Sequence, residues 1–121
     1  MEPSTGVRFV TVFGSPEFRG HQQVSFFNDE DTGLQAIIAI HRRGPQGSAG
    51  GIRMWPYTGE ASAVRDVLRL SRAMSYKFAL ARIPLGGAKS VIIGDAAKAK
   101  TDALLEAFGR AVDVFARGIE P

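Results

Sequence analysis

Two helical patterns separated by a short apolar run constrain the fold of this chain more than any other feature. From Thr58, a candidate N-cap with Glu60 in the first turn, residues of one face recur at three- and four-residue spacing to about Leu80. A second pattern is capped near Thr101 and stops at Gly118. The two faces consist of Val64, Val67, Leu68, Ser71, Met74 and Phe78 in the first helix and Leu104, Leu105, Phe108, Val112 and Phe115 in the second. Both helices therefore need an apolar layer to pack against.

Strand-forming runs lie on both sides of the first helix. QQVSFF at 22–27 and LQAIIAIH at 34–41 flank the turn-forming sequence NDEDTG, which predicts a hairpin with a central second strand. A buried strand is predicted at 91–93, closed by Gly94 and Asp95, and VRFVTVF at 7–13 is a further candidate. Strands interleaved with helices predict an α/β layer sandwich with a sheet of about four strands.

Composition limits the class of protein. A chain of 121 residues with 45% apolar and 22% charged residues fits one folded domain. The net charge of +3 suits an anionic ligand but is too small to indicate nucleic-acid binding by itself. The chain contains no cysteine, has no signal-peptide pattern at its start and has no apolar run long enough to span a bilayer. We predict a cytoplasmic protein with no metal site and no membrane partner.

Two glycine-rich segments carry the candidate chemistry: RRGPQGSAGG at 42–51 and ARIPLGGAKSVIIGD at 81–95. The second is interpreted as a loop over residues 83–89. It does not match a phosphate-binding P-loop, because Ala88 precedes the lysine and the segment follows a helix instead of a strand. The dinucleotide-binding pattern GxGxxG does not occur either.

Two lysines bracket the glycines of the second segment. Taken alone, Lys77 is a favourable charge in the last turn of a helix, and Gly86 and Gly87 simply turn the chain. However, no acidic residue lies between Lys77 and Lys89, and a second glycine pair occurs at 50 and 51. A lysine that loses solvent in a packed segment can be present as the neutral amine, which acts as a base. One lysine could then hold a carboxylate while the other transfers protons.

The residues quoted above also resemble a known family. Over roughly residues 24–117 the chain is similar to the N-terminal domain of the Glu/Leu/Phe/Val amino-acid dehydrogenases, closest to the leucine dehydrogenase type. The resemblance is carried by DTGLQAIIAIH, GGIRMWPY, RDVLRLSRAMSYK and PLGGAKSVIIGD, in that order. It implies a three-layer α/β/α domain with a small, mostly parallel sheet. Residues 21–121 would be the substrate-binding and oligomerisation domain, and residues 1–20 an atypical N-terminal segment.

The resemblance also implies roles for individual residues. Lys89 would be the catalytic lysine, and Lys77 would bind the substrate α-carboxylate. Gly50 and Gly51 would let the substrate approach the backbone, and Met74 would line its side-chain pocket. Glutamate-specific members of the family have a lysine just before the glycine pair, where this chain has Ala49. The implied substrate is a neutral amino acid, branched-chain or aromatic.

The implied reaction is the reversible oxidative deamination of an amino acid to its 2-oxo acid, with NAD or NADP as cofactor, in a homo-oligomer. In the family, a catalytic aspartate and a Rossmann domain follow this region. With a last residue at Pro121, we expect the Rossmann domain to be absent and this chain alone to bind no cofactor and to be inactive. The alternative is a non-catalytic, stand-alone binding or assembly module with the same fold.

Nucleic-acid binding is a third possibility, which the sequence disfavours. The arginines that could carry it are Arg42, Arg43, Arg65, Arg69 and Arg72. No aromatic platform and no known nucleic-acid-binding motif accompanies these charges. We therefore expect a small-molecule amino acid or 2-oxo acid as the ligand, and no nucleic acid.

Overall fold

The computed structural model describes residues 11–119, with side chains up to residue 115. Of the candidate strand at 7–13, residues 7–10 lie outside the described residues and residues 11–13 do not form a strand. The elements in chain order are β1 (Gln23–Asp29), β2 (Leu34–Ile40), β3 (Ser48–Ala49), β4 (Ile52–Trp55), α1 (Glu60–Leu80), β5 (Gly86–Ile93), α2 (Ala96–Ala99) and α3 (Asp102–Ile119).

The predicted hairpin is confirmed. β1 and β2 pair antiparallel from Gln23 opposite Ile40 to Asp29 opposite Leu34. The turn between them contains Gly33, whose φ of 77° is a left-handed conformation that glycine adopts without strain. β2 is buried along almost its whole length, as expected of a central strand with apolar residues on both faces.

The sheet is mixed, so the expectation of a mostly parallel sheet is wrong. β5 lies between β2, with which it pairs antiparallel, and the short strands β3 and β4, with which it pairs parallel. A short turn forces β1 and β2 to be antiparallel, whereas the crossover through α1 makes β4 and β5 parallel. The sheet has five strands instead of about four, because the glycine-rich segment contributes the two-residue strand β3.

Helices cover both faces of this sheet, which confirms the α/β class and the three layers. Side chains of β2 alternate between the faces. One core cluster contains Ile37, Ala39 and Val91 of the sheet with Ala63, Val64, Val67 and Leu68 of α1. The other contains Leu34, Ala36, Ile38 and Ile92 of the sheet with Leu104, Ala107 and Phe108 of α3. The strand β5 is therefore in the middle layer, directly beneath α1.

The helix boundaries agree with the predicted patterns except at one cap. The N-cap of α1 is Gly59, without a side-chain hydrogen bond, instead of Thr58. The cap of α3 is confirmed, because Oγ1 of Thr101 accepts a hydrogen bond from the backbone N–H of Leu104 at 3.1 Å. The helix continues one residue beyond Gly118, to Ile119. No helix within residues 11–119 is long and apolar enough to cross a membrane.

Candidate functional site

The segment interpreted as a loop over residues 83–89 is a strand from Gly86 onwards, which corrects the sequence interpretation. Glycines usually interrupt strands, but here they allow close backbone contacts. A Cβ on Gly86 would collide with the carbonyl group of Arg42, and one on Gly87 would collide with the backbone of α1 at Ser71 and Ser75. Because Gly86 and Gly87 have no side chains, the backbone of β5 packs directly against the segment at Arg42 and against α1.

The peptide groups of Gly87 are hydrogen-bonded on both sides. Its N–H donates to Oγ of Ser75 in α1 at 2.8 Å. Its carbonyl oxygen accepts from the backbone N–H of His41 at 2.8 Å and from that of Arg42 at 3.3 Å. Because the bonds come from different elements, the start of β5 is fixed relative to both α1 and the end of β2.

Lys89 lies on this strand, two residues after Gly87. It pairs with Ala39 in β2, and its side chain points to the α1 side of the sheet, as do those of Ala39 and Val91. The lysine is half-buried. A Cβ on Gly51 would lie 3.2 Å from Nζ of Lys89, with no other described atom within 4 Å. The amine is thus next to the backbone of Gly51, the second residue of the other glycine pair.

The two glycines of that pair are in different environments. A Cβ on Gly50 would collide with the carbonyl group of Ala88, so the contact between neighbouring strands already requires glycine at this position. Gly51, in contrast, meets only the Lys89 amine, and its carbonyl oxygen accepts from the N–H of Ser90 at 3.0 Å. Of the pair, only Gly51 borders space beside the lysine.

Lys77 and Met74 lie on α1, the helix that packs on β5. Lys77 is exposed in the last turn of the helix, and Met74 is half-buried one turn earlier. In the described part of the chain, neither Lys77 nor Lys89 forms an ion pair with a carboxylate. The arginines that do so are Arg53 and Arg69 with Asp66, Arg72 with Glu17, and Arg110 with Asp29. The two lysines therefore remain available to an anionic ligand.

Two histidines beside this site were not identified as functional from the sequence. His21 Nε2 bonds the carbonyl oxygen of Leu68 at 2.7 Å, and His41 Nε2 bonds that of Arg19 at 2.9 Å. Because a carbonyl oxygen only accepts, Nε2 of each ring carries the proton. The rings contact each other at 4.7 Å between centroids. A signal was present in the sequence, since a hairpin of 22–27 with 34–41 places residues 21 and 41 side by side.

The remaining ring nitrogens complete a self-consistent network for neutral imidazoles. Nδ1 of His21 accepts from the backbone N–H of Arg19 at 3.1 Å. Nδ1 of His41 lies 2.7 Å from Oγ of Ser75. The Ser75 oxygen accepts a hydrogen bond from the N–H of Gly87, so the Ser75 hydroxyl proton is free to be donated to Nδ1 of His41. Burial lowers the pKa of both histidines, and hydrogen bonds to backbone carbonyls oppose this effect only in part.

A second polar cluster connects the segment after β4 to α1. It consists of Tyr57, Asp66 and the two arginines that pair with Asp66, Arg53 and Arg69. The Tyr57 hydroxyl donates to Oδ2 of Asp66 at 2.5 Å, and Arg53 and Arg69 lie 3.4 and 3.1 Å from the same carboxylate. Burial, followed by the hydrogen bond and the charge of Asp66, raises the pKa of Tyr57 far above its usual value. Since Arg69 pairs here and Arg72 pairs with Glu17, two of the five arginines considered for nucleic-acid binding are neutralised.

Comparison with known proteins places this geometry in a family context. Residues 21–121 match the family model described as Glu/Leu/Phe/Val dehydrogenase, dimerisation domain. The chain is 53% identical over 92 residues to a phenylalanine dehydrogenase of Caldalkalibacillus thermarum, which covers 76% of this chain and 25% of that protein. It is 48% identical over 99 residues to a leucine dehydrogenase of Geobacillus stearothermophilus, which covers 82% of this chain and 27% of that protein.

A solved structure agrees with the sequence matches. The crystal structure of L-tryptophan dehydrogenase from Nostoc punctiforme superposes with a TM-score of 0.74 at 49% sequence identity. The superposition covers 79% of this chain and 28% of that one. The chain thus spans about a quarter of the length of the proteins that it matches.

Proposed function

The chain belongs to the Glu/Leu/Phe/Val dehydrogenase dimerisation-domain family, and from this premise we propose that it forms the substrate-binding and subunit-contact part of an amino-acid dehydrogenase. The reaction is the oxidative deamination of an L-amino acid to its 2-oxo acid and ammonium, with reduction of NAD or NADP. The observation that carries the proposal is the position of the Lys89 amine beside Gly51. Among residues 11–119 this amine has no carboxylate partner, and its strand packs against the helix that carries Lys77.

Lys77 binds the α-carboxylate of the substrate in this proposal. Its ammonium group has no carboxylate partner within residues 11–119, so binding a substrate carboxylate replaces only water. The preceding turn of the same helix carries Met74, which is half-buried and offers an apolar, adaptable surface to the substrate side chain. Charge and side-chain selection thus come from one helix.

Lys89 acts as the general base. Oxidation at the α-carbon yields an imine, and water must then add to it with loss of a proton. In this proposal the Lys89 side chain, held beside the substrate, accepts that proton. Gly51 leaves open the space next to Nζ, so that a substrate can come close to both the amine and the backbone. When bound, a nicotinamide cofactor would supply the oxidising chemistry of the reaction.

The described residues do not fit a nicotinamide cofactor by themselves. β5 is followed by Gly94 and Asp95 and then by the four-residue helix α2, not by the glycine-rich turn and long helix that hold a pyrophosphate. We therefore propose that residues outside 11–119 hold the cofactor.

The substrate is a neutral amino acid with a branched-chain or aromatic side chain. Ala49, which precedes the glycine pair, lies in β3 opposite Gly87 and carries no charge for a second carboxylate. The names of the relatives, phenylalanine, leucine and tryptophan dehydrogenase, support the same class. The family description also supports assembly into a homo-oligomer. Among the described strands, β1 pairs only with β2, so its outer edge is a candidate subunit contact.

Calorimetric titration tests the binding roles. The protein is titrated with L-leucine, L-phenylalanine and L-glutamate, and the titration is repeated with Lys77→Ala. Lys98→Ala, which removes an exposed lysine from α2, is the matched control. We expect binding of the two neutral amino acids, a loss of that binding in Lys77→Ala only, and no binding of glutamate. Unchanged binding in Lys77→Ala contradicts the proposed role.

A further inference from the structure

The hydrogen bond between Ser75 and Gly87 joins the two elements that carry the lysines. Ser75 lies two residues before Lys77 on α1, and Gly87 lies two residues before Lys89 on β5. Their 2.8 Å bond is the one side-chain hydrogen bond between α1 and β5 in the part of the chain that the structure describes. Any sliding of the helix along the strand must break it.

Packing alone does not fix this contact. Gly87 has no side chain to interlock with the helix, and the backbones of β5 and α1 touch directly there. The residues of α1 in the buried apolar core with the sheet lie earlier in the helix, from Ala63 to Leu68. A directional hydrogen bond is therefore the interaction that sets the offset between helix and strand near the lysines.

His41 keeps the Ser75 hydroxyl in the required orientation. A helical serine can instead donate its proton to a carbonyl group of the preceding turn. Nδ1 of His41, at 2.7 Å, offers an acceptor that directs the hydroxyl proton away from the helix and leaves a lone pair for Gly87. The ring itself is held by the Arg19 carbonyl at 2.9 Å and by its edge contact with His21.

We propose that Ser75 and His41 are positioning residues, which set the distance between Lys77 and Lys89 through the Gly87 peptide. The proposal rests on the proposed function, in which the two lysines act on one substrate. Neither Ser75 nor His41 needs to touch that substrate. The two residues act through the relative position of α1 and β5.

The chain contains no cysteine, so a pair of spin labels can report this distance directly. Cysteines replace Lys77 and Lys89, both are labelled with a nitroxide, and the dipolar broadening of the spectrum gives the distribution of distances. We expect a narrow distribution in the otherwise unchanged chain. We expect Ser75→Ala to lose the narrow distribution and Ser75→Thr, which keeps the hydroxyl, to retain it.

Two controls separate positioning from general stability. Ser62→Ala removes another serine hydroxyl of α1, one that bonds only Thr58. Val67→Ala creates a cavity in the core beneath the same helix. Both should leave the distribution narrow. The proposal is overturned if Ser75→Ala behaves like Ser62→Ala, or if Val67→Ala broadens the distribution as much as Ser75→Ala.

A second variant covers the case in which Ser75→Ala does not fold. His41→Phe leaves the sequence of α1 unchanged and removes the acceptor for the Ser75 hydroxyl, together with the hydrogen bond to the Arg19 carbonyl. It should broaden the distribution in the same way, and an unchanged distribution contradicts the proposal. The label distances do not depend on catalysis. If Ser75→Ala broadens the distance distribution but Lys77→Ala leaves amino-acid binding unchanged, the proposed function is rejected and the positioning role is kept. If Ser75→Ala leaves the distribution narrow but Lys77→Ala abolishes amino-acid binding, the positioning role is rejected and the proposed function is kept.

Discussion

Gly51, which lies between β3 and β4, is a neighbour of Lys89 in β5: a Cβ added to Gly51 would lie 3.2 Å from the amine of Lys89. At that distance the neighbouring atom must move by a few tenths of an ångström, and a lysine side chain can do so. The absence of a side chain at Gly51 therefore affects the position of the Lys89 amine and is not required for the backbone contact with β5. This distinction leads to opposite expectations for the two residues of the glycine pair.

Gly51→Ala should impair function without affecting folding. The added methyl group displaces the Lys89 amine and occupies the space beside it, which we expect to lower kcat/KM of the full protein by roughly 10- to 100-fold. The free energy of unfolding should change by about 0.5 kcal/mol or less, since only a flexible side chain has to move. Enzyme kinetics and urea denaturation measure the two effects. A variant with normal kcat/KM would show that the space beside Lys89 is not used.

Gly50→Ala should impair folding instead. Its Cβ would collide with the carbonyl group of Ala88 in the neighbouring strand, and backbone cannot rotate out of the way. Overpacking of this kind costs about 1 to 3 kcal/mol or more of unfolding free energy. Gly109→Ala is the control. A Cβ at this position of α3 would lie more than 4 Å from every described atom outside the adjacent backbone of the helix, so alanine should stabilise the helix by about 0.5 to 1 kcal/mol. Equal stabilities of the two variants would contradict this account.

Acid should destabilise the fold through His21 and His41. The folded-state pKa of each lies below the usual 6.5, so the unfolded chain binds more protons in the interval between the two values. The stabilising contribution is complete above about pH 6.5 and is lost as the pH falls towards the folded-state pKa values.

Urea denaturation between pH 7.5 and 5.5 measures this slope. The unfolding free energy should decrease as the pH is lowered below 6.5. Replacing His21 or His41 by glutamine should reduce the slope, because the replaced ring no longer takes up a proton on unfolding. A stability that does not change over this range would show that the two rings are not held in the neutral form.

Tyr57→Phe should weaken the attachment of the β4 segment to α1. The variant loses the 2.5 Å hydrogen bond to Asp66, while the arginines still pair with that carboxylate. We expect a loss of about 1 to 2 kcal/mol in the free energy of unfolding. Ultraviolet titration offers an independent check, because the raised pKa of Tyr57 should delay ionisation of its hydroxyl beyond the usual range of a phenol, and the variant should lack this late step. Ionisation of the Tyr57 hydroxyl within the usual range of an exposed phenol would contradict its contact with Asp66.

Periodicity predicted the parts of the fold that depend on local pattern. The hairpin, both long helices and the cap at Thr101 follow from spacing and turn chemistry, and the structure confirms them. The strand that begins at Gly86 could not be predicted in this way. Its glycines read as a turn, and only the neighbouring backbone of α1 and of Arg42 explains why a strand needs them. Long-range contact overrode local propensity at this position.

The mixed sheet and the histidine pair show the same limit. Antiparallel pairing of β2 with β5 depends on how the chain returns after α1, which no local pattern encodes. The predicted hairpin brings His21 and His41 side by side, but their shared network with Ser71 and Ser75 forms only when α1 packs over the end of the hairpin. The lysines were identified from their position around the glycines, whereas their individual roles were implied by the family resemblance and remain predictions.

The most direct test of the central claim is the reduction of NAD or NADP by the full protein that contains this chain, followed at 340 nm with L-leucine or L-phenylalanine as substrate. The account predicts a rate that depends on the amino acid and that falls by about a thousandfold or more in Lys89→Ala, as expected when the group that accepts the proton is removed. Lys100→Ala, an exposed lysine beyond α2, should keep the full rate. No reduction with any neutral amino acid, or an unchanged rate in Lys89→Ala, would contradict the account.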